Sequence, residues 1–452
     1  MSKYKKEKRA QFSSKFGVIA AAAGSAVGLG NIWKFPYITG KFGGAAFLLV
    51  YICFIAIIGV SIMLSEFIIG RRSKKNAYGA YKKLAPKTKW KYVGLLGIIA
   101  AILIMAFYVV VAGWTIEYVV AAIGNKFANQ TPEQLNAMYA DFVDAPFRPL
   151  LYQLIFMIIT AGVIIAGVKN GIERGSKFMM PLLLVIILIL DIRAITLPGA
   201  AAGLEFLFKP DFSKLSSDAI LSALGHAFFS LSIGTGTLTT YGSYINKKNN
   251  LVRTTVDVTI ADTVVAILAG VAILPAVFSF GINPSEGPGL VFVTLPNIFL
   301  QIKGGYIFSV LFFVLLALAA LTSAISILEV IVAYFSEELK MKRKAATIWS
   351  SVIILLAGTI CSLSMGPYDS LTIGGLNLFD ATDWLSTNIL LPIGGMFMSL
   401  FVGWKLGKVE VLDELAQGSH IKMCFVKIFI FITKFIAPLA ILAVFLHGLG
   451  II

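Results

Sequence analysis

The chain has 452 residues, 58% of them hydrophobic and only 13% charged, with a formal net charge of +15. That balance excludes an ordinary soluble domain and fits a helical membrane protein. The basic residues sit in short clusters between long apolar runs, as in membrane-protein loops, which argues against a nucleic-acid surface.

Taken in order, the apolar runs predict eleven spans, at 16–38, 43–70, 92–123, 150–168, 176–197, 219–244, 254–281, 306–338, 347–366, 384–406 and 424–449. They have the length of bilayer helices and exceed that of barrel strands. No cleavable leader is expected, since Met1 to Arg9 is strongly basic and the first apolar run continues into a polar break. Cys53, Cys361 and Cys424 have no metal or redox spacing and are expected to be packing residues. Bases cluster before span 1 and after spans 2, 4, 6, 8 and 10, among them Lys3, Lys8 and Arg9, then Arg71 to Lys91, then Lys169, Arg174 and Lys177. The positive-inside rule therefore places the N-terminus in the cytoplasm and, with an odd span count, the C-terminus outside.

Two spans are interrupted. Span 1 carries Gly24, Gly28 and Gly30 followed by Asn31, and span 6 carries Gly234 and Gly236 among hydroxyl residues. Small residues at Gly24 and Gly28 alone would fit close helix packing. A break frees carbonyls and amides at bilayer depth, which is tolerated only where they line a polar cavity or bind an ion. Two such breaks at corresponding places in two halves point to the binding site of a secondary transporter. The expected organisation is a basic cytoplasmic segment (1–15), a first five-helix repeat (16–197), a second of opposite topology (198–406), and a loop with an eleventh span (407–452).

The stretch Gly24-Ser25-Ala26-Val27-Gly28-Leu29-Gly30-Asn31-Ile32-Trp33-Lys34-Phe35-Pro36 closely resembles the first-helix signature of the neurotransmitter:sodium symporter family. Gly43 to Phe47, Glu66 to Arg71, the span 6 stretch and Ala320-Leu321-Thr322-Ser323 match in the same order. The resemblance covers nearly the whole chain, and its eleven-span length is similar to the bacterial amino-acid branch. It implies an all-α integral membrane protein with an inverted-repeat 5+5 core, and it implies a transporter, not an enzyme.

The resemblance also implies site residues. Amides of Leu29 and Gly30 and the hydroxyl of Tyr108 would hold a substrate carboxylate, and carbonyls near Ala26, Phe229 and Ser232 would hold its ammonium. A first sodium site would use Ala26, Asn31, Ser230 and Asp262. A second would use the carbonyls of Gly24, Val27 and Ala319 with the hydroxyls of Thr322 and Ser323. Hard oxygen ligands of this kind suit a small cation. Two sodium ions are thus expected as co-transported ligands. The family's chloride site maps onto Tyr51, His226, Ser230, Asp262 and Ala266, and the Asp262 carboxylate would replace chloride, so no chloride is expected. Proton counter-transport through Asp262 is the alternative. His226 either pairs with Asp262 or fills the space of a glutamine.

Lys34 and Asp383 match an outer ion pair over an aromatic lid of Phe229 and Tyr108, and Arg9, Phe12, Tyr244 and Glu337 match an inner gate. Side-chain selectivity would rest on Ala26, Ile104, Tyr108, Phe229, Thr235, Ser323, Ser326 and Ile327. Thr235 and Ser326 could meet a phenol or could bond their own backbone. The expected substrates are large hydrophobic or aromatic L-amino acids, tyrosine first, carried across a bacterial plasma membrane by a monomer or homodimer. A proton-coupled permease on the same fold is the runner-up. An enzyme would want a metal cluster or nucleophile–base pair and a channel a repeated pore loop, and neither motif is present in the sequence.

Overall fold

The structure, a computed structural model, describes residues 9–282, 290–417 and 422–451. The basic cluster Lys3 to Lys8 and His420 lie outside the described residues. Nine helices among the described residues are long and apolar enough to cross a membrane. They are span 2 (Ala45–Ser73), span 3 (Lys91–Ile123), span 4 (Arg148–Ile165), span 5 (Val168–Ile195), span 7 (Leu251–Ser279), span 8 (Gly305–Glu337), span 9 (Arg343–Leu363), span 10 (Leu378–Ala416) and span 11 (Met423–Gly448). Span 1 is the pair Lys15–Ala26 and Gly30–Lys41, bent by 52°. Span 6 is split into Ser217–Ser230 and Thr237–Gly242.

Local chemistry sets the starts of these helices. Ser14 caps span 1 by accepting from Gly17 N at 3.0 Å, and Ser216 and Asn250 cap spans 6 and 7 in the same way. Spans 3 and 8 form the centre: 72% and 67% of their apolar windows are buried, against 33% for spans 4 and 11 at the lipid-facing rim.

Three expectations need correction. Residues 407–416, expected as loop, form the helix Gly407–Ala416, the last part of span 10, after a bend at Gly407 (φ 77°). Lys169, Arg174 and Lys177 lie on the first turns of span 5, because Gly167, at φ 90°, reverses the chain within two residues of span 4. Cys53 and Cys424 are exposed on the helix surface, and only Cys361 is buried. Among the described residues the fold is otherwise helical as expected, with one short hairpin, Thr372–Ile373 against Leu376–Asn377.

One end of the bundle gathers the ends of many spans. Arg9 pairs with Glu337 of span 8, Arg71 of span 2 with Glu414 of span 10, and Arg343 of span 9 with Ile164 O of span 4. These are the basic segments that the sequence places on one side of the membrane.

Candidate functional site

The two breaks face each other at the centre of the bundle. In span 1 the helix ends at Ala26, Val27 is extended (φ −71°, ψ 106°), and the chain restarts as a wide π-helical turn at Gly30–Lys34. In span 6 Ser232, Gly234 and Gly236 all adopt positive φ. Ser232 Oγ donates to Ser25 O at 2.9 Å, which ties one break to the other. A third helix props the second break: the buried Glu66 carboxylate of span 2 accepts from Gly234 N (3.0 Å), Thr239 N (2.8 Å) and Thr239 Oγ1 (3.1 Å). The sequence motif contained Glu66 without assigning it this task. An acid at membrane depth was the available signal.

A cavity of about 40 Å³ lies between the breaks. Ala26, Leu29, Gly30, Ile104, Tyr108, Phe229, Ser230, Ser232, Thr235, Ser323 and Ile327 line it, as the sequence expects. Ser25, Gly28 and Leu391 line it too and were missed. Tyr108 Oη lies 3.5 Å from Leu29 N, so the hydroxyl and the freed amide share one corner. A Cβ at Gly28 would sit 2.4 Å from Ser323 Oγ and 3.2 Å from Tyr108 Oη, so the glycine lets both hydroxyls approach the break.

Ser326 is not on the cavity wall. It is buried and its hydroxyl donates to Ser323 O at 2.7 Å. Thr235 is on the wall, but its hydroxyl is engaged locally with Ser232 O (2.9 Å) and Thr237 Oγ1 (2.7 Å). Both hydroxyls bond their own neighbourhood, so neither offers a donor to a phenol.

Beside the cavity, Thr322 and Ser323 of span 8 face the broken end of span 1. Thr322 Oγ1 meets Val27 O (3.3 Å), Leu318 O (3.2 Å) and Ala319 O (3.0 Å). Ser323 Oγ meets Gly24 O (3.5 Å), Ser25 O (3.3 Å) and Val27 O (3.2 Å). Each hydroxyl has one proton for three carbonyl oxygens. The cluster is therefore rich in acceptors and short of donors, the electrostatic condition for a small hard cation. All five residues of the expected second sodium site meet here.

A second polar cluster joins Asn31, Ser230, Asp262 and Tyr51, all buried. Asn31 Nδ2 donates to Asp262 Oδ1 at 2.7 Å, Ser230 Oγ lies 2.9 Å from Asp262 Oδ2, and Tyr51 Oη donates to Ser230 at 3.2 Å. Turning the Asn31 amide over would present its oxygen to the same space. Ala26 contributes to the adjoining cavity wall. His226 does not pair with Asp262. Among the described residues neither of its ring nitrogens has a partner, and the ring packs against Phe35 (5.8 Å) and Tyr51 (5.4 Å), so it fills space. Ala266, one turn along span 7 from Asp262, is buried.

Outward of the cavity lies a second one of about 160 Å³, lined by Trp33, Lys34, Phe107, Phe379, Asp380 and Asp383. Leu29, Gly30, Tyr108 and Phe229 line both and so divide them. Lys34 and Asp383 flank this outer space, but among the described residues they form no ion pair: Lys34 Nζ sits 4.5 Å from the centre of the Phe229 ring, and Asp383 accepts from Thr387 at 2.9 Å. Lysine's compact point charge leaves it free to choose the ring, where an arginine fork would hold a carboxylate more firmly.

The opposite end is shut. Arg9 pairs with Glu337, donates to Ser243 Oγ at 2.9 Å, and lies 4.8 Å from the centre of the Tyr244 ring. Phe12 is buried edge-on against Tyr241 and Tyr244. The four expected gate residues thus come together. Asn76, which donates to Glu337 Oε2 at 3.1 Å, and Glu329, which joins Tyr244 (2.7 Å) to Arg343 (2.6 Å), were missed.

Comparison with known proteins gives a consistent result. A family model described as the Sodium:neurotransmitter symporter family matches residues 9–139 and 147–451. The chain is 41% identical to an uncharacterized sodium-dependent transporter of Bacillus subtilis, YhdH, over 99% of each chain. It is 25% identical to a human sodium- and chloride-dependent GABA transporter 2, over 90% of this chain and 75% of the relative. A solved structure, MhsT in complex with L-phenylalanine, superposes with a TM-score of 0.91 at 48% identity, covering 98% of this chain and all of the other.

Proposed function

The chain belongs to the sodium:neurotransmitter symporter family, and from that premise we propose that it couples sodium entry to the uptake of large hydrophobic or aromatic L-amino acids. It is a sodium-dependent membrane transporter and not an enzyme. The observation that carries the sodium reading is the acceptor-rich cluster of Gly24, Val27, Ala319, Thr322 and Ser323. The geometry supports the following proposed roles. That cluster takes one sodium ion. Asn31, Ser230, Asp262 and Ala26 take a second, which the substrate carboxylate would share. Leu29 and Gly30 amides and Tyr108 orient the carboxylate. Ile104, Phe229, Ile327 and Leu391 offer apolar surface to the side chain.

The phenylalanine bound by MhsT supports an aromatic substrate. The local bonds of Thr235 and Ser326 remove the specific reason to favour tyrosine, so a ring is the recognised feature and its hydroxyl is not. Asp262 supplies the negative charge for the sodium pair, which makes transport independent of chloride. The two five-helix repeats expected at 16–197 and 198–406 would rock about the facing breaks. Arg9 and Glu337 close the cytoplasmic side of the plasma membrane in the proposed orientation, with Lys34 and Asp383 toward the outside.

The test is uptake of labelled phenylalanine and tyrosine into proteoliposomes with an imposed sodium gradient and chloride replaced by gluconate. Concentrative uptake that needs sodium and tolerates the replacement is expected, with similar rates for the two substrates. Uptake driven by a proton gradient without sodium would overturn the coupling. Uptake that stops without chloride would overturn the role of Asp262.

A further inference from the structure

At the end of the bundle that carries Arg71 and Lys91, a groove of about 490 Å³ runs between spans 3 and 10. Trp90, Tyr92, Val93 and Leu96 form one wall, and Ile393 and Phe397 form the other. The wall is apolar, and Tyr92 and Phe397 are exposed, so the groove faces the lipid. Trp90 is wedged at its head, 5.2 Å from the Phe401 ring and 6.5 Å from the Phe397 ring. Lys89 lines its mouth, with Lys87 two residues before it. Among the described residues neither lysine has an acidic partner, whereas nearby Lys82 is taken by Glu338.

Aromatic rings at the start of a span mark the headgroup level, and unpaired lysines there attract anionic lipid. The arrangement offers apolar walls below and cationic heads above. We propose that the groove holds one acyl chain of an anionic phospholipid whose phosphate is met by Lys87 and Lys89. Its position gives the lipid a consequence. Leu391, two residues before Ile393, lines the central cavity. Gly97, next to Leu96, packs against the span 6 break, where a Cβ would lie 3.2 Å from Gly234 O. The groove and the central cavity therefore share a wall, and an occupied groove props spans 3 and 10 at a fixed spacing.

The occupant is read from Trp90 fluorescence, isolated from the other five of the six tryptophans by subtracting the signal of a Trp90→Phe variant. The full chain is reconstituted in vesicles with rising fractions of brominated phosphatidylglycerol or brominated phosphatidylcholine. The anionic lipid should half-quench Trp90 at a mole fraction at least about threefold lower than the zwitterionic one, as expected for two lysines near the headgroups. The Lys87→Gln/Lys89→Gln variant, altered only at exposed positions, should lose that preference. Equal quenching by both lipids, or a preference that survives the double substitution, would overturn the proposal. Quenching by neither would mean that protein covers the groove, and would overturn it as well.

Discussion

At the scale of single residues, the decisive quantity is the count of protons against oxygens. Thr322 and Ser323 bring two hydroxyl protons to carbonyls of Gly24, Ser25, Val27, Leu318 and Ala319. A threonine or serine inside a membrane helix ordinarily donates to the carbonyl one turn back and is then satisfied. Here Thr322 reaches across to Val27 O as well, and Ser323 turns wholly to the carbonyls at the broken end of span 1. A cation relieves that excess. Thr322→Val keeps the shape of the side chain and removes one oxygen. Sodium half-saturation of uptake should rise roughly tenfold, equivalent to about 1.4 kcal/mol, with little change in the maximal rate. A sodium titration of uptake measures it, and an unchanged half-saturation would remove Thr322 from the cation site. Asp262 makes a second residue-scale case. It holds Asn31 and Ser230 and has no cationic neighbour bonded to it among the described residues. Asp262→Asn should therefore leave uptake dependent on added chloride. Chloride replacement with that variant checks it.

At the scale of elements, the breaks were legible in the sequence because two spans are interrupted by glycines at corresponding places, which close helix packing alone does not require. The five-residue cluster proposed for sodium was named through the resemblance, since its residues are scattered over spans 1 and 8. Selectivity was not legible. Whether the Thr235 and Ser326 hydroxyls face a ligand or a neighbouring carbonyl depends on the turn geometry of the break, which composition does not fix. The π-helical turns, the helical stretch 407–416 and the Glu66 prop were likewise hidden, because each depends on what another span presents. The span 6 break gives the sharpest test. Gly234 sits at φ 86°, and a Cβ there would lie 2.7 Å from Leu391 O, a backbone atom that cannot swing aside. Gly234→Ala adds the left-handed strain of about 1 kcal/mol to that clash. The detergent-solubilised protein should melt several degrees lower and uptake should fall at least tenfold. A variant that melts and transports like the parent would show that the break is not held by close approach to span 10.

At the scale of the whole molecule, the two ends are in different states. A cavity of about 160 Å³ stands on the side of Lys34 and Asp383, where no ion pair crosses it among the described residues. The other end is closed by Arg9, Phe12, Ser243, Glu337 and Asn76. The N-terminal segment is also clasped by Glu173 of span 5, which accepts from Ser13 N at 2.7 Å and Ser13 Oγ at 2.6 Å. Opening this end must lift the segment away from spans 5, 6 and 8 together. Sodium at the Thr322–Ser323 cluster would join span 1 to span 8 and favour the closed arrangement, by binding one state better than the other. Glu337→Gln removes the charge from the Arg9 pair but leaves the Ser243 bond, the Tyr244 ring contact and the Glu173 clasp intact. A half-buried ion pair contributes on the order of 1 kcal/mol, so amide exchange over residues 10–17 should quicken about fivefold without sodium. Saturating sodium should restore most of the protection, because the ion acts on the same equilibrium from a separate place. Faster exchange that sodium does not slow would mean that the latch and the cation site are uncoupled. Unchanged exchange would assign the closure to Phe12 and Glu173.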